Sequence, residues 1–420
     1  MRLSLLKSGS LALGLCLALP AVSAALDNTD LRLDKVVLVM RHGIRPATDT
    51  AELQRWSAKT WPTFGSRDVQ LTAHGRAATV LLGQWQRHRL DSLGLFKVGQ
   101  CPQVGDAYVW SSPVARTQDT GAALVEGMFP GCGVAMHHAR ESEDQLFHGD
   151  ENGLAPLDPA LTRAAMLAAM GGSVDAARER YAAPLLAVQQ VVGVPTSCGK
   201  KDCALSEQPW ALKEHGGAIK LSGPLSVGAA MSETFRMQYA EGLPLDQVAF
   251  GEGRSAAAVA RLMALRSAKY ELSNHLPYIA RRGASQLLGQ ILLALQPASA
   301  DSPPGTKWLA YVGHDSNIAQ LRTLLGFDWK IADYPENDAA PGGTILFERW
   351  VNEHTGAHFV SVAYVAQSLD QLRSLSDAPP YRVQYPGYAG EELMPLNDFV
   401  AEMEKRLDRS ATGVQHYDTH

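Results

Sequence analysis

Three short apolar runs along the chain each end abruptly in polar residues. Lys35-Val-Val-Leu-Val-Met40 runs into Arg41-His-Gly-Ile-Arg45, Ala107-Tyr-Val-Trp110 into Ser111-Ser-Pro-Val-Ala-Arg116-Thr, and Trp308-Leu-Ala-Tyr-Val312 into Gly313-His-Asp-Ser-Asn317. Continuous β-branched and aromatic runs of this length predict strands buried on both faces, with polar groups at their carboxyl ends. Ligands of open α/β sheets bind at those ends. Helical periodicity separates the runs. Ala78, Leu81, Leu82 and Trp85 recur at i, i+3, i+4 and i+7 behind Thr72, a predicted N-cap. Ile318, Leu321, Leu324 and Leu325 form a second apolar face, with Gly326 as its predicted C-cap. From about 150 to 300 the texture changes to long Ala/Leu/Gln/Glu stretches, such as 176–191 and 256–295. Strand character returns at Thr344-Ile-Leu-Phe347 and at His358-Phe-Val-Ser-Val-Ala-Tyr364. The pattern predicts an α/β fold: a mixed sheet flanked by helices, built from 25–150 and 300–410, with a second, α-rich domain inserted over 150–300. Residues 411–420 read as a disordered tail.

Composition narrows the class. Of 420 residues, 46% are hydrophobic and 19% charged, which excludes wholesale disorder. The net charge of −5 shows no basic excess, so nucleic acid is not the expected partner. The first 24 residues read as a secretory signal: Arg2 and Lys7, an apolar stretch from Leu11 to Leu19, then Ala21-Val-Ser-Ala24. Export to the periplasm or beyond follows, with no membrane partner after cleavage, because the apolar stretch is too short to span. Loss of Cys16 leaves Cys101, Cys132, Cys198 and Cys203, an even set that predicts disulfides in an exported chain. Cys101–Cys132 with Cys198–Cys203 is the favoured of three connectivities, since the second pair brackets a short polar loop. The rival reading of that pair is a zinc half-site, which lacks a second Cys/His pair at ligand spacing.

The strand-end motifs carry the chemistry. Two guanidiniums flank an imidazole in Arg41-His42-Gly43-Ile44-Arg45. Planar, permanently charged forks suit phosphate, and neighbouring cations keep an imidazole neutral and nucleophilic. His42 is therefore the candidate nucleophile for attack on phosphorus. Arg116 adds a third guanidinium. His314 and Asp315 stand where a helix begins, whose amides also favour an anion. His314, if protonated, would bind phosphate oxygens, and Asp315, if protonated, could supply the leaving group with its proton. The blander role for Asp315 is an N-cap. His137-His138 is read as structural, since adjacent side chains on a strand face opposite ways. Trp56, Trp61 and Phe64 are read as packing.

Arg41-His-Gly-Ile-Arg45, Arg116-Thr117 and His314-Asp315 resemble the histidine acid phosphatases, the acid branch of the histidine phosphatase superfamily. The likeness extends to the bacterial periplasmic glucose-1-phosphatase and acid phosphatase–phytase group of that family through Phe129-Pro-Gly-Cys132, Gly223-Pro-Leu-Ser-Val-Gly228 and Gly342-Gly-Thr-Ile-Leu-Phe-Glu-Arg-Trp350. The resemblance implies a phosphoglycerate-mutase-like sheet and hydrolysis of phosphate monoesters at acid pH through a phosphohistidine. It further implies His42 as nucleophile, Arg41, Arg45, Arg116 and His314 as phosphate ligands, Asp315 as proton donor, and no metal or other cofactor. Thr48, Arg266 and Glu233 are candidates for the substrate pocket, and Glu233 is the reserve proton donor. Gly43 follows the phytase pattern. Asp49 and Gly283 stand where that pattern has cations, which weakens the case for a substrate as charged as phytate, while Arg266, where the pattern has His, partly offsets that loss. The substrate expected is a small phosphorylated molecule, a sugar phosphate like glucose 1-phosphate and/or phytate. The alternatives are a phytase-preferring member and, from another class, a periplasmic sugar-phosphate binding protein without turnover.

Overall fold

A computed structural model describes residues 30–196, 203–215, 218–299, 302–387 and 390–417. The expected signal segment, Cys16 and Cys198 lie outside the described residues. The strands are β1 (Leu31–Arg41), β2 (Ala107–Ser111), β3 (Met136–His138), β4 (Ala211–His215), β5 (Ala218–Ser222), β6 (Trp308–Gly313), β7 (Thr344–Asn352), β8 (His358–Ala366), β9 (Tyr381–Gln384) and β10 (Met394–Pro395). One mixed sheet runs in the order β10-β8-β7-β1-β6-β2-β3, with β9 also paired to β8. The four strands β1, β6, β2 and β3 are mutually parallel, while β7 joins β1 and β8 antiparallel.

The apolar runs serve both faces of this sheet. Val37, Val39, Leu309 and Tyr311 point to one side, where they pack with Leu287, Ile291, Leu321 and Phe399 from the helices Pro277–Leu295, Asp315–Leu325 and Leu396–Arg406. Val36, Leu38, Met40, Trp308, Ala310 and Val312 point to the other, against Leu82, Leu124 and Met128 of the helices Ala73–Ser92 and Ala115–Met128. Burial on both faces is why β1 and β6 lack the alternation of a one-sided strand. The predicted caps are present: Thr72 accepts from the Gly75 amide, and Gly326 closes its helix with φ of 62°.

A third core joins Leu185, Val188, Leu225, Ala229 and Phe235 with Ala47, Leu53 and Trp61 from the segment after β1. The insert is thus helical, with the antiparallel pair β4–β5 as an addition that the Ala/Leu texture did not suggest. Its expected edge at 300 is displaced. From Ala284 onward the helix Pro277–Leu295 packs into the sheet core, and only its first turn, through Ile279, belongs to the insert core. Proline begins that helix because its missing N–H has no partner to lose in the first turn.

The expectation of a loose tail fails over 411–417. The Tyr417 hydroxyl donates to Gln290 Oε1 at 2.9 Å and accepts from Tyr311 at 2.7 Å, and its ring meets Trp110 edge-on. An amphipathic ring over an apolar wall outweighs the polar composition around it. Cys101 and Cys132 are joined by a disulfide, and Cys203 is also disulfide-bonded. Trp61 is buried and stacks on Phe235, while Trp56 and Phe64 are partly buried beside the cores. His137 stacks on Tyr108, and His138 bonds the Ala139 carbonyl. No helix among the described residues is long and apolar enough to cross a membrane.

Candidate active site

Strand register brings the motifs together. Arg41 pairs with Gly313 across β1 and β6, and Ser111 with Val312 across β2 and β6. The residues that follow therefore leave the sheet side by side. Backbone bonds continue the alignment: His42 N–H donates to the Gly313 carbonyl and Ser112 N–H to the Val312 carbonyl. Arg116 then lies in the first turn of its helix, and Asp315 is the first residue of the helix capped by His314. Asp315 is thus not the cap itself; its Oδ1 accepts from the Ser316 amide.

His42 is 1% exposed, and its Nδ1 lies 2.9 Å from the Gly43 carbonyl. A carbonyl only accepts, so Nδ1 carries the proton and the Nε2 lone pair is free. Burial, then Arg41, Arg45 and Arg116, hold this imidazole well below its usual pKa, so it is neutral. Arg41, fully buried, donates to the Ala339 carbonyl at 2.5 Å, pairs with Glu233, and lies 3.1 Å from Asp315. Among the described residues Arg45 donates only to the Pro46 carbonyl, and burial pulls its pKa down to about 10. Arg45 and Arg116 pair with no carboxylate among the described residues, and the Nε groups of both are buried without a partner. Buried, unpaired guanidinium donors at one point mark an anion site.

His314 lies 5.8 Å from His42, ring centre to ring centre. Its Nδ1 accepts from Arg116 at 3.3 Å and its Nε2–H reaches Ser112 Oγ at 3.1 Å. Burial and Arg116 hold it well below its usual pKa. The expected imidazolium is therefore neutral in this state. Behind it, Ser112 and His148 both donate to buried Asp144.

Asp315 bonds Arg266 Nη2 at 2.6 Å. Although burial raises its pKa, Arg41 and Arg266 outweigh that and hold the carboxyl well below the ordinary range. Glu233 is ion-paired to Arg41, Arg236 and Arg266, which depress its pKa further than burial raises it. In this state both carboxyls are therefore ionised, and Glu233 is the more completely enclosed of the two by guanidiniums. Arg266 itself spans Glu233 and Asp315 and lies over the Tyr270 ring. Thr48 is exposed in the loop before the helix Thr50–Arg55 and makes no bond to this cluster. Arg236, Asp338 and the Ala339 carbonyl were not foreseen from sequence. The Glu233–Arg236 spacing of i, i+3 was the only available signal; Asp338, which pairs with Arg236, comes from a loop without one. No group of three or more His, Cys, Asp or Glu among the described residues could hold a metal.

A family model, histidine phosphatase superfamily (branch 2), matches residues 32–204 and 237–365. The chain is 31% identical over 387 residues to phytase AppA of Escherichia coli (strain K12), with 87% of each chain covered. It is 30% identical over 379 residues to glucose-1-phosphatase of Providencia rettgeri, covering 87% of this chain and 88% of that one. The solved structure of Klebsiella sp ASR1 phytase matches with a TM-score of 0.82 and 33% identity, over 92% of this chain and 98% of the other. With its strand-end motifs converged on one anion site and these likenesses spanning most of its length, the chain belongs to branch 2 of the histidine phosphatase superfamily and is a phosphoric monoester hydrolase.

Proposed function

We propose that His42 attacks the phosphorus of a phosphate monoester, with Arg41, Arg45, Arg116 and His314 as phosphate ligands and Asp315 as proton donor. The observation that carries this reading is the free Nε2 of His42 beside Arg45 and Arg116, which have no carboxylate of their own among the described residues. Phosphate entering the cluster gives Arg45 and Arg116 their anion. Its negative charge also raises the pKa of His314, which burial and then Arg116 lower, and of Asp315, which Arg41 and Arg266 hold down against burial. The P–N bond forms as the P–O bond to the alcohol breaks, and the Asp315 proton passes to the departing oxygen. Water then attacks the phosphohistidine, Asp315 recovers a proton from it, and inorganic phosphate leaves. The guanidiniums supply the charge stabilisation that a metal would otherwise provide.

His42→Ala should lose nearly all turnover of p-nitrophenyl phosphate while remaining folded, and acid quench should trap labelled phosphate on the wild type alone. Turnover surviving in His42→Ala overturns the covalent route, and a wild type that binds phosphate without turnover supports a binding protein instead.

The substrates proposed are sugar phosphates like glucose 1-phosphate and/or phytate, cleaved at acid pH in the periplasm. The named activities of the two curated relatives support both substrates. Phosphate release from a panel of esters at pH 4–6 separates them, and sequencing the amino terminus of the exported protein tests cleavage after Ala24.

A further inference from the structure

A cavity of about 550 Å³ is walled by residues between 150 and 279, Lys269, Ser273 and Asn274 among them, and by Gln320 of the helix Asp315–Leu325. Two of its walls stand on helices that also carry members of the His42 cluster. Lys269 stands three residues after Arg266, on the same face of the helix Ala264–Glu271. Gln320 stands just over one turn after Asp315, on the helix Asp315–Leu325. The Gln320 amide occupies the space over Gly283: a Cβ there would meet its Oε1 at 2.5 Å. The space over Gly283 is thus roofed by an uncharged donor and acceptor, and the lysines lining this cavity are Lys220, which faces Glu151, and Lys269.

Lys269 is half-buried, and among the described residues its ammonium makes no ion pair and no hydrogen bond. An ammonium drawn out of water without a partner is costly unless a ligand supplies one. The other charges of the cavity do not do so. Glu151 is 3.9 Å from Lys220, and Asp150 lies toward His148, whose ring is 4.9 Å from that of His314. Burial, then Arg266, lower the Lys269 pKa, which an incoming anion would restore.

We propose that Lys269 is a specificity-determining residue, whose ammonium receives a second anionic group on the leaving alcohol in a subsite completed by Ser273, Asn274 and Gln320. The substrate class is a phosphorylated polyol bearing one further anionic group. A densely phosphorylated ring would bring several charges to one free cation and would also face Asp150. This inference rests on the phosphatase reading above.

The test compares glucose 1-phosphate with glucose 1,6-bisphosphate, a pair that differs by one phosphate, and uses 3-phosphoglycerate to separate carboxylate from phosphate. The wild type should favour the bisphosphate in kcat/KM. Lys269→Gln should lower the bisphosphate-to-monophosphate ratio by about tenfold, the scale of one charge-assisted hydrogen bond. Lys269→Arg should retain most of the ratio. A parallel loss on 3-phosphoglycerate supports a subsite for any anion, and its absence supports one for phosphate. A wild type without preference for the bisphosphate, or an unchanged ratio in Lys269→Gln, overturns the proposal even when p-nitrophenyl phosphate is hydrolysed. A wild type inactive on p-nitrophenyl phosphate overturns the phosphatase reading, and this inference falls with it.

Discussion

Two carboxylates stand within reach of Arg41, and their surroundings assign them different work. Asp315 retains 17% side-chain exposure and begins a helix at the rim of the cluster, where substrate charge can change its ionisation. Glu233 is locked among three guanidiniums at 6% side-chain exposure, so its task is to hold Arg41 and Arg266 in place. The corresponding variants should separate. Asp315→Asn should slow the phosphorylation step with glucose 1-phosphate far more than with p-nitrophenyl phosphate, by ~10²-fold, because only the sugar alkoxide needs its proton. Single-turnover kinetics on both esters measure this, and equal losses would reduce Asp315 to a positioning residue. Glu233→Gln should lower kcat/KM on both esters alike. It should also cost about 3–5 kcal/mol of stability, since it strands buried cations, which chemical denaturation would register. A leaving-group dependence in Glu233→Gln would instead mark it as an acid.

At the scale of elements, the anion site depends on how closely two helices approach. The helices Ala73–Ser92 and Ala115–Met128 cross where Gly83 and Gly127 meet: a Cβ on Gly83 would lie 2.7 Å from the Leu124 carbonyl, and one on Gly127 would strike the Val80 carbonyl. Gly75 brings the first of these helices onto the catalytic loop, where a Cβ would lie 2.7 Å from the Ile44 carbonyl. The second helix carries Arg116, and its Thr120 hydroxyl accepts from the Gly43 amide. Gly127→Ala must therefore push the helices apart against backbone, at about 1–3 kcal/mol. Because that moves Arg116, KM for phosphate esters should rise together with the loss in thermal stability. A stable Gly127→Ala variant with unaltered KM would show that the contact is slack.

For the whole molecule, packing a cationic site into a dry cleft has a cost that depends on pH. His42 and His314 are buried and held neutral, with pKa values well below 6.5, whereas in the unfolded chain they titrate normally. Below pH 6.5 the unfolded state binds more protons, so stability falls as pH drops, by about 1.4 kcal/mol for each histidine one unit below 6.5. His148, raised by Asp144 against its burial, and Glu241, pushed up to about 7 by burial, act in the opposite sense: the contribution of each is full below its unfolded pKa and lost as pH rises through its folded value. Asp315 and Glu233, both depressed, add a further loss as pH falls below the ordinary carboxylate range. The Tm of the substrate-free protein should accordingly decline from pH 7.5 to 5.5 and more steeply below 4.5. His42→Ala should flatten the upper part of that decline. Calorimetry across this range checks both, and a decline left unaltered in His42→Ala would contradict the burial of a neutral imidazole at His42.

Local order was sufficient to read the three apolar runs, their polar carboxyl ends, the caps at Thr72 and Gly326 and the motif around His42, because each is written in a few consecutive residues. Parallel pairing of β1, β6 and β2 then converts consecutive order into spatial convergence, so the members of the cluster could be named in advance. Ionisation could not. Whether Asp315, His314 or Glu233 carries a proton depends on Arg41, Arg236 and Arg266 arriving from three separate segments, and on how much water remains around them. The same holds for Tyr417, which looks like part of a frayed end in sequence yet finds Tyr311 and Gln290 more than a hundred positions away. It holds also for Lys269, an ordinary helix lysine until folding leaves it beside a cavity without a partner. For the apolar runs and the periodic helices, sequence alone settles the backbone and the buried face, since those follow from short-range sterics and periodicity. Charge state and partnership are decided by distances between remote segments and by the low dielectric that burial creates, and only the tertiary structure sets those.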